Sequence, residues 1–168
     1  MRVLGIDCGG EYTGYGVVEQ DDAGCLQHVC SGAIRLVARE ALELRLKAIS
    51  DALEQVIALH HPELVAIEDV FYAVNVKSAL KLGHVRGVAM LAAAQARLSV
   101  VAYSPLSIKS AVVGYGRAEK SQVQLMVARL LSLASPPEPP DVADALAIAI
   151  CHLHTAATLQ RQRVGANS

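Results

Sequence analysis

The sequence predicts an α/β fold, a mixed five-stranded sheet flanked by helices, and three observations carry that prediction. Three short apolar or alternating segments follow one another near the N-terminus with only turns between them, the pattern of an antiparallel meander. Two further apolar segments, 63–68 and 100–103, are each reached through a stretch of helical periodicity, the connection that allows parallel pairing. Helical stretches then dominate the rest of the chain, so strands and helices share one layered unit.

In order, Arg2 to Asp7 reads as a short buried strand and the Gly9-Gly10 pair after it as a turn. Thr13 to Glu19 and Leu26 to Arg35 follow as strands, separated by a turn from Asp21 to Gly24. From Ala41, the residues Leu42, Leu46, Ile49, Leu53, Val56 and Ile57 recur at spacings of three and four, one apolar stripe on a helix that His60-His61-Pro62 ends. Asn75 to Arg97 reads as a long helix. Its small Gly83, Gly87, Ala89, Ala92, Ala93 and Ala94 invite close packing, including against a second copy of the chain. Pro105 opens a brief helix, Gly114-Tyr115-Gly116 breaks it, and the next helix turns Val123, Val127, Leu130 and Leu131 inward. The run from Pro136 to Pro140 is a stiff connector, and Asp141 to Thr155 is the last helix. Residues 1–157 are expected to form one domain and 158–168 a polar, flexible tail.

The 168 residues suffice for one core and leave little for a second. Apolar residues at 53% and charged residues at 18% argue against disorder. Cys8, Cys25, Cys30 and Cys151 form no CxxC pair and no zinc-ligand spacing, and no basic-then-apolar leader opens the chain, so a reducing cytoplasm is expected. The apolar run from Gly87 to Ala96 is far shorter than the roughly 20 residues a bilayer needs, so no membrane span is expected. A net charge of −1 does not advertise a nucleic-acid partner. Such a partner requires acids gathered in one site with Lys and Arg gathered around it.

The acids fit that pattern. Asp7 ends the first strand and Glu68 the fourth, and open sheets bind ligands beyond the carboxyl ends of their parallel strands. Asp141 and Asp144, three residues apart, share a face at the start of the final helix. Each has a plain alternative: Asp141 after Pro140 can be an N-cap with Asp144 in an acidic first turn, and Asp7 before two glycines can form an Asx-type turn. Glu68 is harder to dismiss, because an ion at the end of Leu64-Val65-Ala66-Ile67 is nearly buried, which is costly unless it is paired or binds a cation. Asp69 points the opposite way, toward solvent. Four carboxylates are hard oxygen ligands suited to Mg²⁺ or Mn²⁺. Two such ions about 4 Å apart support phosphodiester hydrolysis without a protein nucleophile, and the chain carries no Ser-His or Cys-His signature.

Lys77 and Lys81 share a helix face that Arg86 extends, and Lys109 and Lys120 flank the Gly114–Gly116 break with Arg117 between them. Singly each reads as a solvated cation. As a group around an acidic pocket they supply the phosphate contacts that net charge hides. Phe71 and Tyr72 follow Glu68, where an aromatic can stack on an unpaired base or pack in the core. His84, His152 and His154 are read as structural or surface residues.

Gly5-Ile6-Asp7 with Thr13-Gly14-Tyr15-Gly16-Val17, and Ala66-Ile67-Glu68 with Val70-Phe71, resemble the RuvC Holliday junction resolvases. So do Asn75, Ser78-Ala79-Leu80-Lys81-Leu82-Gly83 with Arg86-Gly87, Val112-Val113-Gly114-Tyr115-Gly116 with Ala118-Glu119-Lys120-Ser121-Gln122-Val123, and Asp141 to Ala149. The resemblance covers residues 2–156 in order, and it is the combination that is specific. It implies a ribonuclease H-like fold with the family's four catalytic, metal-binding acids on Asp7, Glu68, Asp141 and Asp144. It places the functional lysines on Lys109 and Lys120 and a junction-stacking aromatic on Phe71. It further implies a homodimer that uses Mg²⁺ to nick two opposed strands of a four-way DNA junction, beside the RuvA-RuvB branch-migration machinery, in recombination and repair. The chain departs from the family pattern at Cys8, where Pro is usual, at Glu11, often basic, and at Val74, where some members carry Lys. None of these removes a metal ligand, so they bear on DNA affinity rather than on chemistry.

Two rivals remain. The glycines and Thr13 after Asp7 also resemble the phosphate loop of the sugar-kinase and actin type of ATP-binding domain, which needs a second lobe that 168 residues do not supply. A non-catalytic DNA-binding relative is the other, and the presence of all four acids weighs against it.

Overall fold

The computed structural model describes residues 1–69 and 76–166, with the side chains of Lys77, Arg161 and residues 163–166 outside the description. Five strands make the sheet: β1 (Arg2–Cys8), β2 (Tyr12–Gln20), β3 (Leu26–Arg35), β4 (Leu64–Glu68) and β5 (Ser99–Tyr103). Their spatial order is β3-β2-β1-β4-β5. The first three pair antiparallel, as their short turns require, while β4 lies parallel to β1 and β5 parallel to β4. The mixed five-stranded sheet read from the sequence is therefore present, with β1 at its centre.

Helices cover both faces. On one side lie α1 (Leu42–His60) and α2 (Val76–Gln95); on the other, α3 (Pro105–Val113), α4 (Lys120–Leu130) and α5 (Pro140–Ala166). Because β1 and β4 are covered on both faces, they read as near-continuous apolar runs. Ile49, Leu53 and Val56 of α1 pack with Leu4, Ile6 and Val17 on one face of the sheet. Leu146, Ile150 and Leu153 of α5 pack with Val3 and Val18 on the other. His61 takes the left-handed conformation with φ 47°, and Pro62 follows, which closes α1 where the sequence suggests.

Two readings are corrected. The last helix continues through Ala166 rather than ending at Thr155, because Ala, Leu, Gln and Arg follow Thr155 without a proline to stop it. The small-residue surface of α2 is not one face. Ala89, Ala92 and Ala93 are buried against the sheet, whereas a Cβ added at Gly83 or Gly87 would meet nothing within 4 Å. Among the described residues one helix, Pro140–Gln160, is long and apolar enough by composition to cross a membrane, and it is a core helix, mostly buried.

Candidate active site

Side chains alternate along a strand, and the partition of β1 between the two cores follows this rule. Leu4, Ile6 and Cys8 face α1 and α2, while Val3, Gly5 and therefore Asp7 face α5. On β4, Ala66 belongs to the α5 side, and Glu68, two residues on, shares it. With Ile6 paired to Ile67, Asp7 and Glu68 stand at the carboxyl ends of adjacent parallel strands.

The other two acids arrive on α5, which lies unusually close to the sheet. A Cβ on Gly5 would sit 2.0 Å from the carbonyl oxygen of Ala145, and one on Gly14 would sit 2.0 Å from that of Asp141. Gly14 is the direct partner of Asp7 across the β1–β2 pair. The first turn of α5 is thus laid on bare backbone beside Asp7. Pro140 occupies the start of the helix, so Asp141 stands within its first turn rather than capping it.

Asp7, Glu68 and Asp144 line one cleft of about 320 Å³ together with Lys109 and Lys120. Asp141 stands beside it: a Cβ on Gly9 would approach its Oδ1 to 2.8 Å, and its charge acts on both Asp7 and Asp144. Lys120 Nζ lies 2.5 Å from Asp144 Oδ2.

The electrostatics are those of crowded anions. Burial, then the charges of Asp144, Glu68 and Asp141, push the Asp7 carboxyl up from 3.8 to about 7, with Lys120 opposing. Glu68 is raised by burial and by Asp144, and Asp144 by burial, against the pull of Lys120. Burial draws the Lys120 ammonium down, but its bond to Asp144 and the other acids raise it overall. Cys8, behind Asp7 on the opposite face, is held protonated by burial, its thiol raised to about 12.

Among the described residues, no three acids, cysteines or histidines close into a ready-made metal cage. Lys120 already neutralises one of the carboxylates. The donor set is nonetheless all hard oxygen with excess negative charge, and so fits Mg²⁺ or Mn²⁺ rather than zinc.

Lys109 is half-buried on α3 and acts electrostatically on Glu68 and Asp144. Arg117 and Lys81 are exposed. Arg86 does not extend the Lys81 edge: five residues on, it is rotated about 140° around the helix, and it pairs with Asp69 at 3.5 Å. Phe71 and the Lys77 side chain lie outside the described residues. His152 is buried against the Tyr103 hydroxyl at 2.8 Å, and His154 bonds the Ala111 carbonyl at 2.9 Å, so both are structural.

Sequence reasoning passed over the anchor of Lys120. Gln122 Oε1 accepts from the Glu119 backbone N–H and from the Tyr115 hydroxyl, forming a capping box that fixes the start of α4 where Lys120 sits. The Glu119-x-x-Gln122 spacing was the available signal.

The model of the family described as crossover junction endodeoxyribonuclease RuvC matches residues 3–152. The crossover junction endodeoxyribonuclease RuvC of Koribacter versatilis (strain Ellin345) is 66% identical over 166 residues, covering 99% of this chain and 100% of its own. The solved structure of T. thermophilus RuvC in complex with Holliday junction substrate superposes with a TM-score of 0.88 at 35% identity, covering 93% of this chain and 94% of that one. The yeast mitochondrial Holliday junction resolvase shares the fold, with a TM-score of 0.71 at 17% identity over 98% of this chain and 84% of that one. The fold is thus ribonuclease H-like, as the resemblance implied.

Proposed function

Because the chain belongs to the RuvC family of crossover junction endodeoxyribonucleases, we propose that its acidic cleft cuts four-way DNA junctions by paired, symmetric phosphodiester hydrolysis. One observation carries this reading: acids from three separate segments, at 7, 68 and 141–144, meet at one end of the sheet with Lys109 and Lys120 at their edge. Holding that many anions together opposes folding unless they serve a cation.

Asp7, Glu68, Asp141 and Asp144 would hold Mg²⁺, two ions per site, with Mn²⁺ able to substitute. When bound, the ions supply Lewis acidity to the attack of water on phosphorus and neutralise charge on the departing 3′ oxygen. The chain's own residues do the rest. The half-buried Asp7 and Glu68 fix the floor of the cleft on two strands, and α5 fixes its wall. Lys120, paired with Asp144, and Lys109 stand at the edge of the cleft, where their ammonium groups would face the negative charge of a scissile phosphate. Arg117 and Lys81 take flanking phosphates, and DNA contacts for Phe71 and Lys77, outside the described residues, rest on the sequence alone.

The chain acts as a homodimer, since symmetric cuts require two cleft copies. An exposed apolar stripe on α2 supports this: Val76, Leu80, Gly83, Gly87, Met90 and Leu91 recur at helical spacing, with Leu80 60% and Leu91 55% exposed. It works in the cytoplasm beside RuvA-RuvB in recombination and repair.

The test is incubation of the protein with a synthetic four-way junction, with and without Mg²⁺. Paired nicks that need the metal are expected. Intact DNA at every enzyme concentration would remove the nuclease reading.

A further inference from the structure

We propose a second phosphate seat on the DNA face, built from Arg45 of α1 and Lys81 of α2 beside Gly10, which takes a backbone phosphate near the cleavage point. It rests on the nuclease reading only for the identity of the DNA. A narrow crevice brings Arg45, Lys81 and Gly10 together over the apolar Leu42, Leu46 and Val85. Among the described residues no carboxylate lines it.

Three features point to an anion. Arg45 Nε is buried without a hydrogen-bond acceptor among the described residues, and a buried polar atom in that condition calls for a water or an ion. Arg45 shares the crevice with Leu42 and Leu46, and its planar guanidinium suits bidentate contact with phosphate. Lys81 is exposed and forms no ion pair among the described residues.

Position makes the phosphate a DNA phosphate. β3 runs parallel to β1, so α1, which follows β3, begins at the end of the sheet where Asp7 stands. Gly10 is three residues beyond Asp7, and three residues span at most about 11 Å. The crevice opens on the α1/α2 side of that same end of the sheet, so a strand with its scissile phosphate in the acidic cleft that continues around the sheet end would reach it within a few nucleotides. Glu11, next in the chain after Gly10, is exposed and is not part of the crevice lining.

The test measures junction affinity against salt concentration for full-length R45M, K81M and K47M, with R45K as the conservative change. Each lost phosphate contact lowers the slope of log K against log salt by about 0.9 and weakens binding about tenfold. R45M and K81M are expected to show both effects and R45K to retain the slope. Lys47, on the same helix but paired with Asp51 at 2.6 Å, is expected to leave slope and affinity unchanged when replaced. Wild-type slope and affinity in R45M, or an equal loss in K47M, overturns the seat. Should R45M fail to fold, R45Q carries the same decision, because it removes the charge while keeping a polar side chain of similar length. A wild-type protein that binds junctions with this Arg45-dependent slope but never cuts them keeps the seat and removes the nuclease reading. One that binds no DNA removes both.

Discussion

Replacing Gly14 by Ala isolates the contact on which the assembly of the cleft depends. The new Cβ would lie 2.0 Å from the Asp141 carbonyl oxygen and 2.4 Å from its carbon, whereas real Cβ contacts essentially never fall below 3.0 Å. The obstacle is helix backbone, so α5 must retreat by about 1 Å, and Asp141 and Asp144 retreat with it. Overpacking of this kind costs about 1–3 kcal/mol of stability. A 1 Å misplacement of reacting groups costs about 10²-fold in rate. G16A is the milder comparison, because its Cβ meets the Leu146 side chain, Cδ2 at 2.5 Å and Cγ at 2.7 Å, while the nearest helix backbone atom, Leu146 N, lies at 3.3 Å, so α5 need give only a few tenths of an ångström. Both variants are expected to melt at lower temperature, but only G14A is expected to lose Mn²⁺ affinity by calorimetry and about 10²-fold in single-turnover cutting. Wild-type metal affinity and rate in G14A, or the same losses in G16A, would refute the claim that Gly14 sets the spacing of the acids.

Three further outcomes follow from the crowded carboxylates and the α5 core. The Asp7 carboxyl is raised from 3.8 to about 7 by burial and its acidic neighbours, so its ionisation opposes folding, by a penalty that begins above the lower value and is complete above the higher. Without metal, D7N should therefore be more stable than wild type at pH 8 by up to about 4 kcal/mol and by less than about 2 kcal/mol at pH 5, while cutting is abolished. Denaturant melts in chelator at the two pH values test this, and a pH-independent difference contradicts it. K120M removes the cation on Asp144, so Mg²⁺ should bind more tightly by calorimetry even as cutting slows by about 10²-fold or more. Weaker Mg²⁺ binding would show that Lys120 does not compete with the metal. Y103F deprives the buried His152 Nδ1 of its partner and should cost about 1–3 kcal/mol in thermal melts, leaving the cleft intact.

Much of this protein was determined by local pattern alone. The apolar run of β1, the stripe of α1, the stops at His61 and Gly114 and the helix start at Pro140 each depend on a few adjacent residues, so the elements and the mixed sheet could be read directly. The acids could be nominated too, since Glu68 ends a buried strand and Asp141 and Asp144 share a helix face. Local pattern misled where a stretch lacked a stop, as after Thr155, and where one residue's angle around a helix decided its partner, as with Arg86 and Asp69. What only the tertiary structure decided was distance. Whether Asp7 meets the α5 acids depends on Gly5 and Gly14 lying under helix backbone more than a hundred residues away in the chain, and whether Lys120 meets Asp144 depends on how α4 packs against α5. Charges couple through space, so the raised Asp7 carboxyl and the bond between Lys120 and Asp144 exist only once the fold has brought these groups within reach.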